Sequence, residues 1–253
     1  MGIKLEMLQI LLKRPSSDFK KHIKKEKIEN QTIKYAQIDN HQPTVVFENG
    51  YGFGASIRLW DEVFLEIGKT NSVFAYDRND KKDEKKKNVS TDRVEILRKL
   101  LLKRGLKPPY ILVGHSLGGT YAQYFAKKYP DEVCGMILVD TSPPGSFEDT
   151  STFPKLAKFF SGLYKEINII DQEILALPTI HTPVSVIQAT QKKVISQYKK
   201  QKPMMDIIHE KAKKYPILYP NCKMQWVDTG HVVMFEDYKL VSDAIKEVIE
   251  GLG

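Results

Sequence analysis

Apolar positions in this chain fall into two kinds of pattern. Short unbroken runs, rich in β-branched and aromatic residues, occur at Thr44–Phe47 (TVVF), Ser72–Tyr76 (SVFAY), Tyr110–Val113 (YILV), Met136–Val139 (MILV), Val184–Gln188 (VSVIQ) and Met224–Val227 (MQWV). Unbroken rather than alternating runs are what strands buried on both faces need. Between them, apolar residues recur at helical spacing. Asp92–Arg104 places Val94, Leu97, Leu101 and Leu102 on one side, Leu117–Tyr129 does so with Tyr121, Ala122, Phe125 and Ala126, and Tyr238–Glu250 with Val241, Ile245, Val248 and Ile249. Strands alternating with helices predict a three-layer α/β/α sandwich around a mostly parallel sheet. No fixed-period repeat is present, which sets aside solenoids and propellers.

The rhythm breaks between residues 142 and 183, where Pro143, Pro144, Pro154, Pro178 and Pro183 interrupt two amphipathic stretches, Leu156–Tyr164 and Ile167–Leu177. Some 40 residues rarely fold alone, so the segment reads as a short helical lid inserted into one domain spanning residues 1–253. Residues 1–30 read as a helical and basic extension. Wound as a helix, Ile3, Met7, Leu8, Ile10, Leu11 and Leu12 form an apolar face that would dock on the core or make weak contact with a membrane surface.

Composition narrows the classes. A hydrophobic fraction of 42% over 253 residues supports a sizeable core. Two cysteines, Cys134 and Cys222, supply neither a disulfide framework nor a zinc cluster. The net charge of +8 is gathered in two lysine clusters, Lys20–Lys27 and Lys81–Lys87. No nucleic-acid-binding module accompanies that charge, so solvated faces are the expectation and a nucleic-acid partner is not. No run approaches the roughly 20 apolar residues that span a bilayer. Lys4, Glu6 and Gln9 break any signal-peptide core, and Glu6 stands where a myristoylation motif needs Ser or Thr. A cytoplasmic location, with peripheral membrane contact as the variant, is expected.

The sharpest chemical signal is Gly114-His115-Ser116-Leu117-Gly118, directly after the run YILV and directly before the helix LGGTYAQYFAKKYP. A G-x-S-x-G pattern alone is weak. Strand, sharp turn and helix together form the nucleophile elbow, in which a strained serine stands clear of the sheet. Gly114 and Gly118 leave empty the places where side chains would meet the neighbouring strand and helix. The helix N-terminus offers unpaired N–H groups and a positive dipole end to a developing oxyanion.

At these residues the chain resembles the α/β-hydrolase family, and the resemblance runs over most of its length. PYILVGHSLGGTYAQYFAKKYPDEVCGMILVDTSPP is similar to that family's elbow, following helix and next strand. VVFENGYG resembles its oxyanion loop, with Asn49-Gly50 where His-Gly usually stands, and VDTGHVVMFEDYKLVSDAIKEVI resembles its C-terminal histidine block. The resemblance implies a serine hydrolase that cleaves a carboxylic ester or related acyl compound through an acyl-enzyme, with no cofactor and no metal; the apolar side of the lid suggests that the ester is small and partly apolar.

A serine hydroxyl needs a base within hydrogen-bond reach. Of the six histidines, His231 follows the run MQWV and occupies the position of the family's base. His115 reads as a spacer in the elbow, His181 as a possible substrate contact, and His22, His41 and His209 as surface or packing residues. The acid is open. The family most often places it after the penultimate strand, here VSVIQ, but ATQKK follows and offers no carboxylate. Asp140, at the end of MILVD, matches a second site used in the family. Asp206 is the alternative, and Asp228, Asp171 or no acid at all are the remaining options. For the oxyanion hole, the elbow supplies the Leu117 N–H and the resemblance implies the Tyr51 N–H, on a loop made pliable by Gly52 and Gly54. A phosphate cradle is the competing reading of that loop, but no P-loop lysine or helix-opening G-x-G-x-x-G is present. Two other functions stay open: a catalytically impaired binding protein on the same fold, and a peripheral-membrane lipid hydrolase.

Overall fold

The computed structural model describes residues 12–51, 56–78, 89–149, 151, 158, 161–192 and 202–252. Its centre is an eight-stranded sheet built from β1 (Ile23–Ile28), β2 (Gln31–Ile38), β3 (His41–Glu48), β4 (Asn71–Tyr76), β5 (Tyr110–His115), β6 (Val133–Val139), β7 (Val184–Ala189) and β8 (Cys222–Val227), in the order β1-β2-β4-β3-β5-β6-β7-β8. From β4 to β8 every neighbouring pair is parallel, while β1–β2 and β2–β4 are antiparallel.

Successive residues along each central strand face opposite layers, so each strand contributes to two cores. On one face, Val45, Phe47, Ile111, Val113, Ile137 and Val139 pack against α2 (Asp61–Ile67) and α9 (Tyr238–Glu250). On the other, Val46, Leu112, Met136 and Leu138 pack against α3 (Val89–Lys103), α4 (Leu117–Lys128) and α5 (Ser161–Ala176). Helix α9 shows how sequence fixes such an element. The Asp237 side chain accepts the Leu240 N–H at 3.0 Å and caps its start, and Val241, Ala244, Ile245 and Val248 line its buried side. Removing that cap costs about 1 kcal/mol, and burying each large apolar side chain contributes roughly 2 kcal/mol.

All six expected strands and the three helices are present, with three departures. Within residues 1–30, the part described is a short helix α1 (Ser17–Lys21) followed by strand β1. Of the lysines in Lys20–Lys27, Lys20 and Lys21 end helix α1, while Lys24, Lys25 and Lys27 sit on the edge strand β1, which lysine protects from further pairing; residues 1–11 and the cluster Lys81–Lys87 lie outside the described residues. Helix α3 buries Val94, Leu97, Leu100 and Leu101, whereas Leu102 is exposed. Strand β8 is an edge strand, half-exposed with Trp226 outward, so it is not buried on both faces.

The segment between β6 and β7 contains α5, whose Ile167, Ile170 and Ile174 join the core beside α4. Residues 152–157, 159 and 160, which include Leu156, Phe159 and Phe160, lie outside the described residues.

The order in which strands are added reverses at β3. β4 lies on one side of it, and the chain then crosses through α3 to β5 on the other. The carboxyl ends of β3 and β5 thus flank a topological switch point, where open α/β sheets form their ligand crevices.

Candidate active site

Ser116 sits between β5 and α4 with φ 54° and ψ −125°, a left-handed conformation that an ordinary turn would give to glycine. Surrounding contacts hold it there. Its N–H donates to the Val139 carbonyl at 3.1 Å. A Cβ on Gly114 would lie 2.5 Å from the Gly119 Cα, and one on Gly118 would run into the carbonyls of Glu48 and Asn49. Both glycines are required by close approach, as the elbow pattern demands. Gly119, which the pattern leaves unexplained, is needed too, because a Cβ there would strike the Thr141 side chain.

Asp140 and His231 meet across 91 residues of sequence: His231 Nδ1–H donates to Asp140 Oδ2 at 2.6 Å. Asp140 turns out of the end of β6 with φ 43°. Its carboxylate is buried and accepts three further bonds, from Gln188 Nε2 at 2.5 Å, the Ala189 N–H at 3.0 Å and Gln191 Nε2 at 2.7 Å. Four donors occupy the two oxygens, and they leave the Nε2 edge of His231 as the end opposite Asp140.

The other carboxylates are engaged elsewhere. Asp206, on α6 (Lys202–Ala212), which precedes the short helices α7 (Tyr215–Leu218) and α8 (Val233–Glu236), pairs with Lys202 at 2.6 Å on an exposed face. Asp228 accepts from Thr190 Oγ1 at 3.0 Å, and Asp171 accepts the Gly145 N–H at 2.8 Å. Of the carboxylates considered, it is therefore Asp140 that the structure brings to His231.

His115 does more than space the elbow. Its Nε2–H donates to the His231 carbonyl at 2.9 Å, and the two rings stand 4.6 Å apart. Burial, followed by the neighbouring His231, lowers its pKa to about 3, so the ring stays neutral and keeps one N–H for that bond. His181 is exposed, with its carbonyl accepting from Asn221, and His209 packs edge-on against Trp226.

The oxyanion loop leaves β3 beside the elbow. A Cβ on Gly50 would be 3.2 Å from Ser116 Cβ, which measures how closely the loop backbone passes the serine. Asn49, where the family usually has histidine, is buried and anchors the loop. Its Nδ2 donates to the Tyr76 carbonyl at 2.5 Å, and its Oδ1 accepts from Trp60 Nε1 at 2.9 Å. Tyr51 follows with an exposed side chain, and Leu117 opens α4 directly after Ser116. Gly52 and Gly54 lie outside the described residues.

Sequence reasoning missed Gln188 and Gln191. Two amides three residues apart, at the strand end where a carboxylate is expected, were the available signal. Cys134 and Cys222 are free, half-buried thiols, and burial raises the pKa of each. Among the described residues, no three His, Cys, Asp or Glu side chains are grouped as a metal site would need, and no helix is long and apolar enough to cross a membrane.

Comparison with known proteins agrees with this architecture. The alpha/beta hydrolase fold family profile matches residues 44–176, just over half of the chain. The chain belongs to this family. The uncharacterized protein YqjL of Bacillus subtilis is 33% identical over 100 residues, covering 38% of this chain and 39% of that protein. Human 1-acylglycerol-3-phosphate O-acyltransferase ABHD5 is 32% identical over 120 residues, covering 43% of this chain and 32% of that protein. The matched segments thus span between about a third and two fifths of these relatives' own length. Among solved structures, an epoxide hydrolase from Bacillus megaterium aligns with a TM-score of 0.67 at 12% identity, covering 90% of this chain and 100% of that one. Alpha/beta hydrolase domain-containing protein 10 from mouse aligns at 0.63 and 16% identity, covering 91% and 99%. At such identities the structural likeness speaks for the fold alone.

Proposed function

We propose that this alpha/beta hydrolase is a serine hydrolase cleaving a carboxylic ester or related acyl compound, with Ser116, His231 and Asp140 as its catalytic triad. The observation that carries the proposal is the 2.6 Å contact between His231 and Asp140, taken together with a serine held in a strained elbow. Ser116 Oγ attacks the ester carbonyl while His231 Nε2 takes its proton. The oxyanion accepts bonds from the backbone N–H groups of Leu117 and Tyr51. The tetrahedral intermediate collapses, the alcohol departs with the proton from His231, and the acyl group remains on Ser116. Water, deprotonated by His231, attacks the acyl-enzyme and releases the acid. Asp140 holds the Nδ1–H tautomer and stabilises the imidazolium. In this reading the α5 segment acts as the lid, and the substrate is small and partly apolar.

The alternative of an impaired binding protein drew on the missing carboxylate after β7. The contact of Asp140 with His231 argues against it. A second reading has one observation in its favour. The ABHD5 relatives are named O-acyltransferases, so the acyl-enzyme would pass its acyl group to a lipid hydroxyl instead of water. Short-chain nitrophenyl esters offered to wild type, Ser116→Ala, Asp140→Asn and Asp206→Asn test the first reading. It expects turnover in wild type and Asp206→Asn, and turnover reduced to background in Ser116→Ala. Adding an acyl-acceptor lipid and identifying the product separates transfer from hydrolysis.

A further inference from the structure

We propose that Arg78, which follows β4 and lies outside the triad, is the positioning residue of the oxyanion hole. The inference rests on the serine-hydrolase reading above. Arg78 Nη1 donates to the Asn49 carbonyl at 2.6 Å and Nη2 donates to the Gly50 carbonyl at 2.9 Å, so one guanidinium grips two successive peptides of the oxyanion loop. A trans peptide points its C=O and its N–H in opposite directions. Holding the Gly50 carbonyl therefore turns the Tyr51 N–H, which belongs to the same peptide, away from Arg78. That N–H is the second oxyanion donor. The guanidinium also polarises the peptide it holds, because hydrogen bonds in series strengthen one another.

Arg78 is itself fixed on two further sides. Its Nη1 pairs with Glu48 Oε2 at 2.8 Å, with both side chains almost fully buried. Glu48 Oε1 in turn accepts from the Tyr76 hydroxyl at 2.5 Å. The guanidinium plane lies over the Tyr121 ring at 4.8 Å, and the Tyr121 hydroxyl contacts Arg93 and Glu166, the latter on α5. A planar fork serving a carboxylate, two carbonyls and a ring face is a role that lysine cannot fill. A charge buried this deeply, bonded to the backbone of the loop beside the nucleophile, is more than a surface ion pair.

The test separates aim from stability. Arg78→Met should lower kcat on a nitrophenyl ester by about 100-fold, the effect of losing one oxyanion donor, with KM changed by less than about threefold. A trifluoromethyl ketone, whose adduct with Ser116 carries an oxyanion, should bind Arg78→Met about 100-fold more weakly. Arg78→Lys should recover kcat only in part. Because Arg78→Met strands the Glu48 charge, the double variant Glu48→Gln/Arg78→Met is the control: it should regain thermal stability and not kcat. A kcat that returns with stability in the double variant overturns the inference, as does an Arg78→Met enzyme as fast as wild type. Both results leave the serine-hydrolase reading standing. A wild type that neither turns over esters nor takes up the ketone overturns that reading and this inference with it.

Discussion

Two buried carboxylates, Asp140 and Asp171, look alike by burial, at 4% and 2% exposure, and are opposite in chemistry. Asp140 receives four donors, from Gln188, Ala189, Gln191 and His231. Asp171, on α5, receives the Gly145 N–H at one oxygen, and among the described residues its Oδ1 has no hydrogen-bond partner. Burial raises the Asp171 pKa to about 7; the Gly145 N–H pulls it back, nearby Glu148 raises it and Lys211 lowers it. Burial alone therefore does not tell the two apart. Convergent donors do: four hydrogen bonds close on Asp140 and, among the described residues, one on Asp171. The end of β7 makes the same point. It carries no carboxylate, yet its two glutamines and one backbone N–H hold the Asp140 carboxylate at the end of β6.

The contrast yields predictions in falling order of effect. Asp140→Asn should reduce kcat about 10,000-fold, by releasing His231 from the correct tautomer. Steady-state ester kinetics beside Asp206→Asn, expected to stay within about twofold of wild type, check this; a collapse in the latter instead would move the acid to Asp206.

Asp171 should act on stability rather than rate. The folded state holds its proton more tightly than the unfolded chain, so its contribution is fully present below the ordinary carboxylate pKa. It is lost as pH rises from about 4 through about 7, by up to about 4 kcal/mol. Asp171→Asn should flatten that slope and melt later than wild type at pH 8, with kcat nearly unchanged. Thermal melts at several pH values would show it, and an equal slope in both proteins would remove Asp171 as its source.

Gln191→Leu removes one donor from the oxygen that also accepts from His231. It should cost about tenfold in kcat, the value of about one charged hydrogen bond. Asp237→Ala, at the cap of α9, should cost about 1 kcal/mol of stability and nothing in rate, as a denaturant titration would register.

Much of this was legible in the residues. The central strands announce themselves because burial on both faces demands unbroken apolar runs, and the elbow because its glycines are forced by backbone contact. Strands β1 and β2 were not legible. IKKEKI, at the sheet edge, and QTIKYAQI, beside it, carry charged and polar positions that hide the period, and pairing rather than composition makes them strands. The acid was legible only as a choice among aspartates. Nothing local in MILVD distinguishes a strand-end cap from a catalytic carboxylate. The distinction lies in Gln188, Gln191 and His231, which arrive from 48 to 91 residues away. The contacts of Arg78 with Glu48, Asn49 and Gly50 were hidden for the same reason, since they exist only once β3 and β4 lie side by side.

The central claim is an activated serine at position 116, and the most direct measurement is intact mass after exposure to a fluorophosphonate. The account predicts one adduct on wild type, mapped to Ser116 by peptide sequencing, none on Ser116→Ala, and much slower labelling of Asp140→Asn. A wild type that remains unmodified, or a Ser116→Ala protein labelled as readily as wild type, would contradict it.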